Sequence, residues 1–323
     1  MPLSEFSLID RYFAARTPRR PDVVLGIGDD CALLRPPPDQ ELAVTLDTLV
    51  ADVHFFADAD PEGIGHKALA VNLSDLASMG AIPAWATLAL TLPRADEDWL
   101  ERFCRGLFAL ADRHDVQLIG GDTTHGPTTV ITLQAHGFVP PGAALRRDGA
   151  RPGDNIYVTG TPGDAGLALA AAYGKTTVPA EHRDYLQTRL DRPEPRIAQG
   201  ASLRGIASAA IDISDGLAQD LGHILERSGG GALLEIDRLP LSPALTAHPD
   251  RDAATILALA SGDDYELCFT VPPERLTQLV TATATWDCRC TRIGVVTAEP
   301  GLRLVRQDRS IFQLERSGYD HFG

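Results

Sequence analysis

Residues 42–92 constrain the fold more than any other stretch of the chain. "LAVTLDTLV" (42–50) alternates apolar and polar residues with a period of two. "PEGIGHKALAVNLSDLASMG" (61–80) has helical spacing, and "PAWATLALTL" (83–92) alternates again. There Leu88, Leu90 and Leu92 share one strand face, with Thr87 and Thr91 on the other. Strand, helix and strand in that order predict an α/β unit. The pattern continues with an amphipathic helix over "DEDWLERFCRGLFALADRHD" and strands over "VQLIGGD" and "TVITLQAHGFV".

The stretch "VPPGAALRRDGARPGD" (139–154) is rich in Pro, Gly and charge and marks a boundary between domains 1–140 and 141–323. A second α+β unit follows. "NIYVTG" reads as a strand, "TPGD" as a loop and "AGLALAAAYG" as a helix, with a polar helical region around residues 180–200. "SAAIDISDG" leads into the helix "LAQDLGHILERSG", whose apolar face is Leu217, Leu221, Ile224 and Leu225. Strands are expected near "ALLEI", "YELCFTV" and "CTRIGVV".

The N-terminal "MPLSEFSLIDRYFAARTPRR" lacks the order of a signal peptide and predicts a short amphipathic helix with Phe6, Ile9 and Phe13 on one side. No apolar run approaches the ~18 residues of a membrane span, so a cytoplasmic protein without a membrane partner is expected. The five cysteines form no C-x-x-C pair, and Cys288-x-Cys290 is too tight for a zinc half-site. They are expected as reduced thiols. A net charge of −15 argues against nucleic acid as a partner. An anionic ligand would have to arrive with cations.

Acids recur in or beside apolar segments: "GIGDDCALL", "TLDTL", "NLSDL", "LIGGDTT", "AIDISDG" and "ASGDDYEL". Strand periodicity puts Thr45 with Asp47 on one face, and Asp212 with Ser214 on another. Asn72 and Asp75 share a helix face. Some of these acids have plain uses: Ser214 or Asp215 as an N-cap, "GGD" and "GDD" as turns. Together they predict carboxylates converging at strand and helix ends. At 4 Å and an effective dielectric of about 20, each like-charged pair costs about 4 kcal/mol. Divalent cations would relieve that cost, and an all-oxygen donor set selects Mg²⁺ or Ca²⁺ over zinc. Two other phosphate motifs fail. "GKT" (174–176) has Leu169 where a P-loop needs Gly, and "GIGDDC" has Cys31 where a dinucleotide fingerprint needs Gly or Ala.

With these segments in place, the chain resembles the thiamine-monophosphate kinase family, of the superfamily that includes aminoimidazole-ribotide synthetase and selenophosphate synthetase. The carriers are "GIGDDCALL", "TLDTLVADVHF", "KALAVNLSDLASMGA", "LIGGDTT", "GFVP", "GARPGDNIYVTGTPGDAGLAL", "RPEPR", "IDISDGLAQDLGHI", "DDYELCFTV" and "GYDHF". The resemblance implies a two-domain aminoimidazole-ribotide-synthetase-like fold of α/β (α+β) class. Its N-terminal α/β domain forms a dimer barrel with its copy, and a C-terminal α/β domain completes the ATP and substrate site. It implies magnesium ligands at Asp30, Thr45, Asp47, Asp75, Asp122 and Asp212, and a further ion at Asp215. ATP contacts are implied at Gly121, Asp122, Arg146 and Ser214, and thiamine monophosphate contacts at His54, Asp263 and Tyr319. Two positions depart from the family pattern: Asp263 stands where Glu is common, and Tyr319 where Trp is common.

The implied reaction is direct in-line transfer from ATP to thiamine monophosphate, forming thiamine diphosphate, with several Mg²⁺ ions and room for a monovalent cation. A phosphate monoester has a second pKa of roughly 6 and is already nucleophilic at neutral pH, so no general base is required. Charge neutralisation and positioning dominate such transfers. A selenophosphate synthetase would need a reactive Cys beside a Lys, and Cys31 has no lysine near it in sequence. A non-catalytic nucleotide-binding regulator would not need every one of these acids.

Overall fold

A computed structural model describes residues 5–14 and 20–321, with the side chains of Glu5 and Phe6 left aside. The chain divides into two compact units, residues 1–76 with 81–142, and 77–80 with 143–323. Among the described residues, no helix is long and apolar enough to cross a membrane.

The first unit opens with helix α1 (Glu5–Leu8), which continues as a π-helical turn over Ile9–Phe13. The predicted helix is present, but its buried residues are Leu8, Tyr12 and Phe13, with Ile9 only half-buried. A wider i→i+5 turn moves the buried stripe off the 3.6-residue spacing on which the Phe6–Ile9–Phe13 expectation rested. The side chain of Phe6 lies outside the described residues.

Strands β1 (Val23–Leu25) and β2 (Leu33–Leu34) pair antiparallel around "GIGDDC". Then come β3 (Glu41–Val50), α2 (Pro61–Ser78), β4 (Ile82–Leu92), α3 (Glu97–Arg113), β5 (Gln117–His125) and β6 (Val130–Val139). The sheet order is β3-β6-β4-β5, antiparallel except for the parallel β4–β5 pair. As the alternation predicts, Leu88, Leu90 and Leu92 are buried. Each such side chain contributes about 1.5–3 kcal/mol on burial. Helix α2 is buried nearly all round, which explains its unbroken apolar run. It crosses α3 in backbone contact: a methyl on Gly65 would lie 2.0 Å from the Phe103 carbonyl oxygen, and one on Gly106 1.8 Å from that of Glu62. Asp96 caps α3 by accepting from the Trp99 N–H at 3.2 Å. A smaller cluster of Trp85, Ile119 and Phe138 is covered by Val23, Ala32 and Leu34 of the β1–β2 hairpin. The Trp85 indole donates to Asp22 at 3.1 Å. On edge strand β3, by contrast, Leu42, Val44 and Leu46 are 46%, 51% and 56% exposed.

The second unit contains β7 (Asn155–Thr159), α4 (Asp164–Ala172), α5 (Ala180–Asp191), α6 (Ile197–Ser202), β8 (Ala209–Asp212) and α7 (Leu217–Ser228). It continues with β9 (Gly231–Glu235), α8 (Pro243–Thr246), α9 (Arg251–Ala260), β10 (Leu267–Val271), α10 (Leu276–Thr283), β11 (Cys290–Thr297) and β12 (Gly301–Val305). The sheet order is β12-β9-β11-β7-β10-β8, antiparallel except for β12–β9. Leu217, Leu221, Ile224 and Leu225 of α7 join Ile156, Val158, Ile211 and Cys268 in its main core, as their spacing predicts. Helices α8, α9 and α10 and strand β12 were not anticipated. β12 is a short edge strand, and the buried side of α9 consists of Ala254, Thr255, Ala258 and Leu259, small or polar for the most part, so neither announces itself by a strong apolar face.

Candidate functional site

The candidate residues fall on both units. In the first, β3 places Thr45 and Asp47 on one face, and α2 brings Asp75 to them: the Thr45 hydroxyl donates a short hydrogen bond to an Asp75 carboxylate oxygen. Burial, and next the charge of Asp75, push the Asp47 carboxyl up to about 7. One turn before Asp75 on α2, Asn72 is fully buried. Its amide donates to the Ala68 carbonyl at 3.2 Å, and its Oδ1 meets no donor among the described residues. Two carboxylates and a hydroxyl are oxygen donors that fit a hard divalent cation, and an unpartnered amide oxygen lies one turn away along α2.

The other acids of this unit are placed differently. Asp30 is exposed in the β1–β2 hairpin, where its N–H donates to Asp29 Oδ1 at 2.9 Å. Asp122 is exposed on β5. The neighbouring Gly121 admits no side chain, because a methyl there would stand 1.9 Å from the Leu88 carbonyl oxygen. Among the described residues, no three His, Cys, Asp or Glu side chains group closely enough to hold one ion. The expected convergence of carboxylates is, within this chain's units, a matter of pairs. His54 Nδ1 accepts from the Val50 N–H at 3.0 Å, which places the proton of the neutral ring on Nε2.

In the second unit, three segments are laced together by backbone bonds. β8 ends at the buried Asp212, and the turn Ser214–Gly216 leads into α7. Neither Ser214 nor Asp215 caps that helix. Instead Asp220, one turn into α7, accepts from the N–H groups of Ser214, Asp215 and Gly216 at 3.0–3.1 Å. Burial and then the Asp215 charge push the Asp220 carboxyl up to about 7 against the pull of those three donors. The Ser214 carbonyl accepts from the Asp263 N–H at 2.7 Å, and the Asp215 carbonyl from the Tyr319 N–H at 2.9 Å. Gln219 donates to the Tyr319 carbonyl at 2.9 Å. Ser214, Asp215, Asp263 and Tyr319 are thus brought together from distant parts of the sequence.

Asp263 has a left-handed φ of 62°. That conformation costs about 1–2 kcal/mol for most residues, but short polar side chains tolerate it, so aspartate is better suited here than a longer acid. Tyr319 is 46% exposed, its ring edge-on to His321 at 4.9 Å. Arg146 is exposed and forms a two-pronged pair with Asp148 at 2.9 and 2.5 Å, while its carbonyl accepts from the Ala210 N–H of β8. The hydrogen bond and charge of Asp148 raise the Arg146 pKa, so it stays a cation.

Asp220, Asp264, Glu266, Arg189 and Arg196 were not among the sequence candidates, although Glu266 and Arg196 sit in "DDYEL" and "RPEPR". A charged residue amid the apolar face of α7 was the available signal for Asp220. All five cysteines are free, and burial pushes the thiols of Cys268, Cys288 and Cys290 up, Cys290 to about 12.

Family models match both units: that for the N-terminal domain of AIR synthase related proteins over residues 28–139, and that for their C-terminal domain over 151–307. The chain is 53% identical over 324 residues to thiamine-monophosphate kinase of Salmonella typhimurium, covering 100% of this chain and 99% of that one. The crystal structure of thiamine-monophosphate kinase from Stenotrophomonas maltophilia is similar with a TM-score of 0.86 and 50% identity, over 94% of this chain and 97% of that one. AaThiL complexed with AMPPCP and TMP is similar with a TM-score of 0.77 and 31% identity, over 100% and 99%.

Proposed function

The chain belongs to the thiamine-monophosphate kinase family, and from that premise we propose how its residues divide the reaction among them. The enzyme is a kinase that phosphorylates thiamine monophosphate with ATP, a step of thiamine biosynthesis. Both reactants are polyanions and the protein itself carries −15, so charge compensation is the first requirement.

Asp30, Thr45, Asp47, Asp75, Asp122 and Asp212 are the proposed Mg²⁺ ligands, with Asp215 serving a further ion. The observation that carries this reading is the Thr45–Asp47–Asp75 set, in which a half-buried carboxyl is raised to about 7 beside a second acid. When bound, Mg²⁺ supplies positive charge to the phosphate oxygens. Gly121, Asp122, Arg146 and Ser214 contact ATP: Arg146 offers a permanent cation in a planar donor fork, and the bare Gly121 lets the nucleotide approach the backbone. His54 donates from Nε2 to the acceptor phosphate, Asp263 binds the acceptor, and Tyr319 stacks on the cationic thiazolium ring. The acceptor is a dianion, so no side chain takes a proton and transfer is in line without a phospho-enzyme.

Residues 1–140 form the metal, ATP and dimerisation domain, and 141–323 complete the ATP and substrate site. A homodimer is supported by the exposed Leu42, Val44 and Leu46 on edge strand β3. The free cysteines suit a cytoplasmic setting. The test is ADP release with Mg·ATP, with and without thiamine monophosphate, in Na⁺ and in K⁺ buffer, with the product identified by mass. Thiamine-dependent ADP with thiamine diphosphate is expected. Magnesium-dependent ATP binding without thiamine-dependent turnover would overturn the acceptor assignment.

A further inference from the structure

Two acids inside "DDYEL" are buried for a reason the site above does not use. Glu266 is 0% exposed, and its carboxylate takes four hydrogen bonds. Arg196 donates from Nε at 2.7 Å and from Nη2 at 2.6 Å, Arg189 from Nη2 at 2.9 Å, and the Thr159 hydroxyl at 2.6 Å. The chain closes so tightly here that a methyl on Gly160, at φ 58°, would stand 2.0 Å from Glu266 Oε1. Asp264 is 1% exposed, and both its oxygens accept from the Gly163 N–H, at 2.8 and 2.9 Å.

Between and before these anchors the backbone is unusual. Gly262, Asp263 and Tyr265 have φ of 70°, 62° and 53°. Such a run persists only where its surroundings over-determine it. Three bonds to one neighbouring segment do so: Asp263 N–H to Ser214 O at 2.7 Å, Tyr265 N–H to Ile213 O at 2.8 Å, and Ile213 N–H to Glu266 O at 2.8 Å. A methyl on Gly262 would lie 2.4 Å from Ser214 O. Within Gly262–Glu266, only Asp263 is not buried. A buried ion cluster adds little net stability over an apolar replacement, because desolvation offsets attraction. What a two-pronged arginine pair does supply is fixed direction.

We propose that Glu266, held by Arg196 and Arg189, and Asp264, held by Gly163, are positioning residues. They lock the segment Gly262–Tyr265, with its three left-handed residues, so that Asp263 is presented to thiamine monophosphate. The proposal rests on Asp263 binding the acceptor, as proposed above.

The experiment compares the full-length chain with its Glu266→Gln and Asp264→Asn variants. Steady-state constants are measured for each substrate separately, with backbone hydrogen exchange and thermal unfolding alongside. The expected result is a loss in kcat/KM for thiamine monophosphate of about 100-fold in Glu266→Gln, carried by its KM. The KM for ATP stays within about twofold, as misplacement confined to one segment requires. The Asp263 and Tyr265 amides exchange faster, while those of Cys268 and Thr270 on β10 keep their protection. Asp264→Asn keeps an acceptor for the Gly163 N–H and gives the same split with smaller size. It also reads the split if Glu266→Gln does not fold. Equal loss for both substrates, loss of protection spread over β10, or unchanged constants would overturn the proposal. Absence of thiamine-dependent turnover in the unmodified chain would instead overturn the function above. The hydrogen exchange at Asp263 and Tyr265 would then still decide whether the two acids hold the run.

Discussion

Replacing Asp75 with asparagine separates the chemistry of the candidate metal site from its stability. Asp47 stands at about 7 instead of 3.8, through burial first and the Asp75 charge second. That rise corresponds to about 4 kcal/mol against the charged form, of which the lesser part, under about 2 kcal/mol, belongs to Asp75. Asp75→Asn removes this repulsion. It also turns the charge-assisted bond from the Thr45 hydroxyl into a neutral one, a loss of about 1 kcal/mol. The two changes oppose each other, so the stability of the metal-free protein at pH 7 moves by no more than about 1 kcal/mol. The pH dependence has a definite sign. Between 3.8 and about 7, folded Asp47 binds more protons than unfolded Asp47, so metal-free stability falls as pH rises through that window. The fall is smaller in the variant. Turnover behaves differently. Loss of one ligand charge lowers the rate of ADP release by about 100-fold or more at saturating Mg²⁺. Thermal unfolding with and without MgCl₂ gives the second reading: the unmodified chain gains about 2.7 kcal/mol at one hundred times its dissociation constant, and the variant gains far less. A variant that keeps a near-normal rate at saturating Mg²⁺, or the same magnesium-dependent gain, would refute the assignment of Asp75 as a ligand.

Gly106→Ala drives a methyl to within 1.8 Å of the Glu62 carbonyl oxygen and forces α2 from α3, with an expected cost of about 1–3 kcal/mol in urea unfolding. An unchanged midpoint would contradict that crossing. Burial raises the Asp22 pKa, but hydrogen bonds from Arg20 and Trp85 outweigh it and hold the carboxyl below its usual range. Its contribution, about 1–2 kcal/mol by comparison with Asp22→Asn, is therefore full above 3.8 and fades as pH falls below that value. A difference that persists undiminished at strongly acid pH would show otherwise. Leu46→Glu places a charge on the exposed β3 face and is expected to shift sedimentation from dimer to monomer. An unmodified chain that already sediments as a monomer would end the dimer proposal. Asp263→Asn keeps a side chain that tolerates φ 62° and removes its charge, so KM for thiamine monophosphate rises about tenfold with unfolding unchanged. Unaltered KM would remove Asp263 from the acceptor site.

Much of the scaffold was legible because it is written in short-range periodicity. The alternation of β4 announced Leu88, Leu90 and Leu92 as buried, and the face of α7 announced Leu217, Leu221, Ile224 and Leu225. The same reasoning found Phe13 in the N-terminal stripe but passed over Leu8 and Tyr12, because a π turn does not keep the 3.6-residue rule. It passed over β12, whose one pairing is with β9 from another part of the chain. The candidate acids were legible as anomalies in apolar runs, but their partners were not.

The sequence by itself determined where most strands and helices lie and which acids interrupt them, since those properties depend on neighbours a few residues away. Tertiary structure alone decided which charges meet. Thr45 reaches Asp75 across 30 residues, and Glu266 draws Arg196 and Arg189 across 70 and 77. It decided too that Asp30 and Asp122 are exposed while Asp47 is half-buried and feels the charge of a second acid. The reason is physical: a carboxylate's protonation and partners follow from burial and distance, and neither is a property of a short sequence window.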